Sequence, residues 1–226
     1  MCGRFVNQVP PEILARLFGT VNPLPNLKPS FNIAPRQDAA AVRRHPQTGA
    51  LHLDLLNWGL LPHFTKDAKA APRPINARAE TLASNGLFRG AFVSRRCIIP
   101  ADAFYEWQTI PGGTPSRPNK QPWAIARADG ATLAFAGLWE GWRAPDGGIL
   151  RSFAIVTTVA NEAMTRFHDR MPVILERPDW PAWLGETPAP PAPLLRPAAA
   201  GTLRFWQVSP AVNSVRNDAS ALLNAV

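Results

Sequence analysis

Cysteine, lysine and histidine are all scarce in this chain. Its 226 residues hold two cysteines, Cys2 and Cys97, too few for a disulfide framework at this length, and both are read as free thiols. The four histidines stand far apart, at positions 45, 52, 63 and 168, and no Cys or His pair has the spacing of a zinc site. A Walker-type phosphate loop and a G-x-G-x-x-G turn are both missing. No metal and no cofactor is therefore expected. Apolar runs fall well short of the roughly 20 residues needed to cross a bilayer. The first residues also lack a basic segment followed by an apolar stretch, so neither a membrane span nor secretion is expected. A reducing, cytoplasmic location follows from these absences.

What the chain has in quantity is arginine and proline. Lys and Arg total 24 against 16 Asp and Glu, a formal charge of +8, and 20 of the 24 are arginine; prolines number 25. A positive field draws polyanions, and the planar guanidinium fork suits bidentate phosphate contacts better than the lysine ammonium. Nucleic acid is the partner this charge suggests. A GC-rich coding sequence would also enrich Ala, Pro and Arg together, so composition alone leaves the matter open.

Hydrophobic residues make up 46% and charged residues 18%, ordinary values for a globular protein, and the length fits one domain spanning residues 1–226. "PPEILARLFG" predicts a helix that starts at prolines and stops at Gly19, with Ile13, Leu14, Leu17 and Phe18 on one face. "AAAVRRH" and "LHLDLLNWGL" predict a hairpin turned at "PQTG". "NARAETLA" reads as helical, "RRCIIPADAFYEWQ" as an apolar strand pattern broken at Pro100, and "TIPGGTPSRPNKQP" as a long exposed loop. Further strands are expected at "WAIARA", "LAFAGLWEGW", "SFAIVTT" and "RFWQVSP", with helices near "ANEAMTRF" and "PDWPAWL". Strands outnumber helices without regular alternation, which predicts an α+β fold with mainly antiparallel sheet. Residues about 186–200, rich in proline, should form an exposed connection.

Four short stretches could carry chemistry. "MCGRF" puts Cys2 behind the initiator, where loss of Met1 would leave an α-amine beside the thiol, a pair no internal cysteine has. In "INARAE", Asn76 and Arg78 fall at a strand-to-helix transition, where Asn76 could simply cap a helix. "AFYEWQ" sets Glu106 among Phe104, Tyr105 and Trp107; burial there would make it hold its proton as a general acid requires, whereas on an edge strand it would face solvent. "RFHDRMPVIL" strings together His168, Asp169 and Arg170, whose succession does not by itself make a His-Asp dyad. Cys97, before "IIP" in an apolar strand, reads as a small core residue.

Taken together, "MCGRF", "NIAPR", "INARAET", "FYEW" and "HDRMPVIL", followed by "WQVSPAVNSVRND", resemble in order and spacing the SRAP family, the SOS response-associated peptidase proteins that crosslink to abasic sites in single-stranded DNA. The resemblance covers essentially the whole chain. It implies a single α+β domain whose sheets curl into a barrel-like core beside a DNA-facing cleft, with a few flanking helices. It also implies a thiazolidine crosslink through Cys2 once Met1 is removed, shielding the lesion in the DNA damage response. By similarity Glu106 would shuttle protons, His168 would help open the sugar and Asn76 would position the amine. Arg4, Arg78 and Arg170 would contact phosphates, and Pro35 and Phe64 would face unpaired bases. "LPHFTKDAKAAP" departs from the family here, since it has no tryptophan near Phe64 where the family typically carries one. The family name further implies self-processing that releases Met1, although a methionine aminopeptidase could do the same. A monomer bound to single-stranded DNA is the expected assembly. Two other readings stand beside this one: a noncovalent nucleic-acid-binding module with an inert cysteine, and a class II glutamine amidotransferase-like hydrolase, whose chains also begin Met-Cys-Gly.

Overall fold

A computed structural model describes residues 2–114 and 116–226; Met1, whose removal the sequence reading calls for, lies outside them. The apolar runs in the sequence have strands with two buried faces as their cause. In β3 (Asp38–Arg44), Ala39 and Ala41 point into one core while Ala40 and Val42 join another. The same alternation divides β9 (Leu133–Arg143), with Leu133, Phe135 and Trp139 on one side and Ala134, Ala136 and Leu138 on the other. It recurs in β10 (Ile149–Val159), where Phe153 and Ile155 oppose Ala154 and Val156. Strands buried on both sides read as continuous apolar segments, because neither face needs polar residues.

These strands close on themselves. β10 pairs with β4 (Leu51–Trp58), β4 with β3, β3 with β6 (Arg96–Ala101), β6 with β9, and β9 again with β10, giving a closed five-stranded ring. All pairs are antiparallel except β4 with β10. A ring this small has a narrow interior, and its inward positions accordingly include Ala39, Ala41 and Cys97. Gly137 is required there: a Cβ at that position would lie 2.9 Å from Cys97 Sγ and 3.2 Å from Ile99 Cγ1.

A five-stranded sheet leans on the ring. Its order is β12 (Leu203–Gln207), β8 (Arg117–Arg127), β7 (Ala103–Thr114), β1 (Phe5–Asn7) and β2 (Ser30–Ile33). Rings from both sheets meet in one aromatic cluster. Phe5 packs edge-on against Trp58 at 5.1 Å, Phe104 against Phe135 at 5.7 Å, and Trp58 stacks on Phe153 at 6.1 Å. Trp58 Nε1–H is satisfied by the Ile75 carbonyl at 2.9 Å. Helices α1 (Pro11–Phe18), α2 (Arg89–Ser94) and α4 (Trp180–Leu184) cover the outer face of the ring; α3 (Glu162–Thr165), capped by Asn161, leads into β11 (Arg170–Pro172). The α+β class and the barrel-like core are as expected.

Several local expectations are corrected. The segment expected to be helical at residues 76–83 opens instead as strand β5 (Asn76–Arg78), parallel to β10, followed by a single 3-10 turn over Ala79–Thr81. The strand break falls at Asp102, not at Pro100, which is buried within β6; the Asp102 carboxylate accepts the Gln8 amide at 2.6 Å. The supposed loop over 109–122 is largely the far half of the β7–β8 hairpin, whose bulge between Thr109 and Gly113 absorbs the glycines. Ile13, placed on the buried face of α1, is 46% exposed, whereas Leu14 and Phe18 are buried.

Candidate nucleic-acid cleft

Strand β1 is short, but it runs between β2 and β7, and this carries the start of the chain into the core. Phe5 lies opposite Phe104, and the Tyr105 amide donates to the Arg4 carbonyl at 3.0 Å. Cys2 is wholly buried at the end of this strand. Its carbonyl accepts a hydrogen bond from Asn76 Nδ2 at 3.0 Å, so the asparagine holds the chain start rather than capping a helix. β5 can present Asn76 in this way because it pairs in register with β10, Asn76 opposite Ile155.

Glu106 is 4% exposed on β7, and burial pushes its carboxyl pKa above the ordinary value. The Cys2 thiol is raised as well, mainly by burial and secondly by the Glu106 charge, so the thiol keeps its proton and the two groups sense each other. His168 leaves the end of α3 half-buried; desolvation lowers its pKa, which favours neutral imidazole. Its Nδ1 accepts the Arg170 amide at 3.0 Å and lies 2.5 Å from Asp169 Oδ1. The dyad left open by the sequence therefore exists in geometry, but Asp169 is 84% exposed and its carboxylate is largely screened by solvent.

Glu106 and His168 line one cleft of about 900 Å³. Trp107, Lys120, Phe167 and Asn213 are also in its wall. The projecting β7–β8 hairpin supplies one side, including Lys120, which places a positive charge over the cleft. Of these residues the sequence reading singled out only Glu106 and His168 as reactive. Phe167 and Trp107 sit beside them in "RFHDR" and "FYEW", and that adjacency was the available signal.

The residues expected to touch DNA are spread more widely. Arg78 is exposed, two positions after Asn76 on β5 and hence on the same strand face. The Arg4 guanidinium is engaged internally, donating to Asn32 Oδ1 at 2.7 Å and the Val212 carbonyl at 2.9 Å, with its carbon 5.9 Å from the Trp107 ring centre. Arg170 is 9% exposed and forms a two-pronged pair with Glu80 at 2.7 and 2.8 Å, besides donating to the Thr157 carbonyl. Pro35 is half-buried in the turn after β2, next to Arg36, whose φ is 75°. Phe64 is 57% exposed and meets His63 edge-on at 5.3 Å. Among the described residues no group of His, Cys, Asp and Glu is arranged to hold a metal ion.

The family described as SOS response associated peptidase (SRAP) matches residues 1–215. This chain belongs to the SRAP family. Among its SRAP relatives, the abasic site processing protein YoqW of Bacillus subtilis is 39% identical over 230 aligned positions, covering 100% of each chain. The abasic site processing protein HMCES of Gallus gallus is 33% identical, covering 84% of this chain and 64% of its own length. A crystal structure of a protein from Bordetella bronchiseptica superposes with a TM-score of 0.77 at 29% identity, covering 92% of this chain and 100% of that one. A protein from Bacteroides thetaiotaomicron has the same fold, with a TM-score of 0.86 at 20% identity and full coverage of both chains.

Proposed function

We propose that this SRAP chain binds single-stranded DNA at abasic sites and, once Met1 is removed, links itself covalently to the exposed sugar through Cys2. The observation that carries this reading is the gathering of Cys2, Asn76 and Glu106, with Glu106 and His168 in one open cleft. Abasic site processing is the activity named for its relatives.

The chemistry follows from the protonation states. An α-amine with a pKa near about 8 is partly neutral at physiological pH and attacks the aldehyde carbon of the ring-opened sugar. The resulting carbinolamine loses water to give an imine. The Cys2 sulfur then adds to the carbon of the protonated imine while its own proton leaves for the Glu106 carboxylate, and a five-membered thiazolidine closes; one water is released overall. Glu106, whose burial favours the protonated form, supplies a proton to the departing hydroxyl and recovers one as the thiol adds. His168, in the wall of the same cleft, helps open the sugar, and Asn76 fixes the Cys2 backbone so that the amine has one orientation. A thiol that keeps its proton fits this order, in which nitrogen reacts first. It fits less well an amidotransferase-like reaction that opens with thiolate attack. Self-release of Met1 would use the same cleft.

The test is a denaturing gel of Met1-free protein with a single-stranded oligonucleotide carrying one abasic site. A heat-stable shifted band is expected for the wild type and none for Cys2→Ala without reductant. The same stable band from Cys2→Ala would eliminate the thiazolidine. Mass spectrometry of Cys2→Ala made without an aminopeptidase tests self-processing: retention of Met1 supports it, and normal loss of Met1 removes any need for Cys2.

A further inference from the structure

A second cleft, of about 510 Å³, opens where β3, β9 and β10 meet the loop after β4, and it shares no lining residue with the first. Its wall contains Arg43, Arg95 and Arg151 as well as His63, and Glu140 is the carboxylate among its lining residues. Glu140 is 2% exposed and works as an anchor. Its Oε1 accepts from Arg95 Nη2 at 2.7 Å and its Oε2 lies 3.0 Å from His63 Nδ1, which turns the other imidazole nitrogen away from the carboxylate. Arg43 is pinned separately, over the Trp139 ring at 4.5 Å and against Asp54 at 2.7 Å.

Two features are unexplained by the protein alone. Arg151 has no side-chain hydrogen bond or ion pair among the described residues, yet it stands near enough to Arg43 to disfavour that group's charge, after the larger effect of burial. Trp139, 6% exposed, lines the same cleft, and its buried indole N–H has no acceptor among the described residues. Gathered cations and an unanswered buried donor are costly unless something anionic and rich in acceptors completes them. Phe64 stands beside the cleft, its ring against His63 and more than half exposed, so a base has a face to stack on next to the cations.

We propose that this cleft is a phosphate site for the bound strand, separate from the reacting cleft, with Arg151 as the cation that has no partner among the described residues. The proposal rests on the reading of the chain as a single-strand binder but not on the crosslinking chemistry.

The experiment measures noncovalent affinity for an intact, unphosphorylated single strand of twenty nucleotides, and for one of five, across a salt series. Wild type, Arg151→Ala and Arg151→Lys are compared, all on an exposed position where folding is not at stake. Arg151→Ala is expected to weaken binding of the longer strand about three- to tenfold and to reduce the salt slope by about 0.7, the single-strand increment for one phosphate. Arg151→Lys should recover part of the loss, and crosslinking at saturating abasic strand should keep its yield. In a ¹⁵N spectrum, the indole signal absent from Trp139→Phe should move on adding the long strand. Equal affinity and slope for wild type and Arg151→Ala would overturn the proposal. So would an indole shift with inorganic phosphate that the strand fails to reproduce, which would mark a free-phosphate site, or equal losses on both strand lengths together with lost crosslinking. If wild type binds no strand and forms no adduct, the functional reading falls as well; if it binds and Arg151 is irrelevant, only this inference does.

Discussion

At the scale of single residues, burial decides which protons are available. Glu106 has a folded pKa above its unfolded one, so the folded state holds more protons between the two values and stability falls as pH rises through that window. Glu106→Gln removes the ionisable group. The variant should therefore gain stability relative to wild type at neutral and alkaline pH, measured by urea unfolding, and lose that advantage near pH 4. Its crosslinking rate should drop about a hundredfold or more, the usual scale for a lost acid-base group. Asn76→Ala should slow adduct formation by roughly three- to tenfold while the adduct itself stays stable, because about 1 kcal/mol of hydrogen bonding to the Cys2 carbonyl is lost. Gly137→Ala tests the barrel interior. With Cys97 Sγ only 2.9 Å from the added carbon, thermal or denaturant melts should show a loss of about 1–3 kcal/mol.

At the scale of elements, the tie between Arg170 and Glu80 joins β11 to the turn after β5, and so holds the strand that carries Asn76. Glu80 is held below its ordinary pKa by that pair, so the pair's contribution is present above the unfolded carboxylate value and is lost as pH falls through the folded one. Arg170→Lys keeps the charge but not the two-pronged geometry. It should lower adduct yield more than it lowers the melting temperature, whereas Arg170→Ala should lower both. Elements governed by local pattern were legible in the sequence: α1 with its Gly19 stop, and the β3–β4 hairpin with Arg44 opposite Leu51. Elements made by partners far along the chain were not. β5 is three residues that β10 recruits, β1 is a three-residue strand held between β2 and the distant β7, and the glycines of the hairpin tip read as loop because a bulge was hiding in them. The site was readable only as separate motifs. Nothing in "INARAE" or "MCGRF" states that an amide of one meets the carbonyl of the other.

At the scale of the whole molecule, the +8 charge should express itself as salt dependence. If three strand phosphates are neutralised, log affinity should fall against log salt with a slope of about −2. A flat dependence in a fluorescence anisotropy titration would rule that contact model out. The closed ring has a different consequence, which concerns the order of synthesis. β4 and β9 each keep an unpaired edge until β10 exists, and the two residue pairs between β4 and β10 are what close the circle. Cys2 leaves the ribosome early, yet Asn76 lies 74 positions behind it, with Glu106 and His168 later still. At about 5–20 residues per second, the 74 positions to Asn76 alone take roughly 4–15 seconds of translation. On the proposed chemistry, Cys2 is through that interval an ordinary side chain on a tethered, unfinished chain, and it would gain its partners only when the later strands arrive.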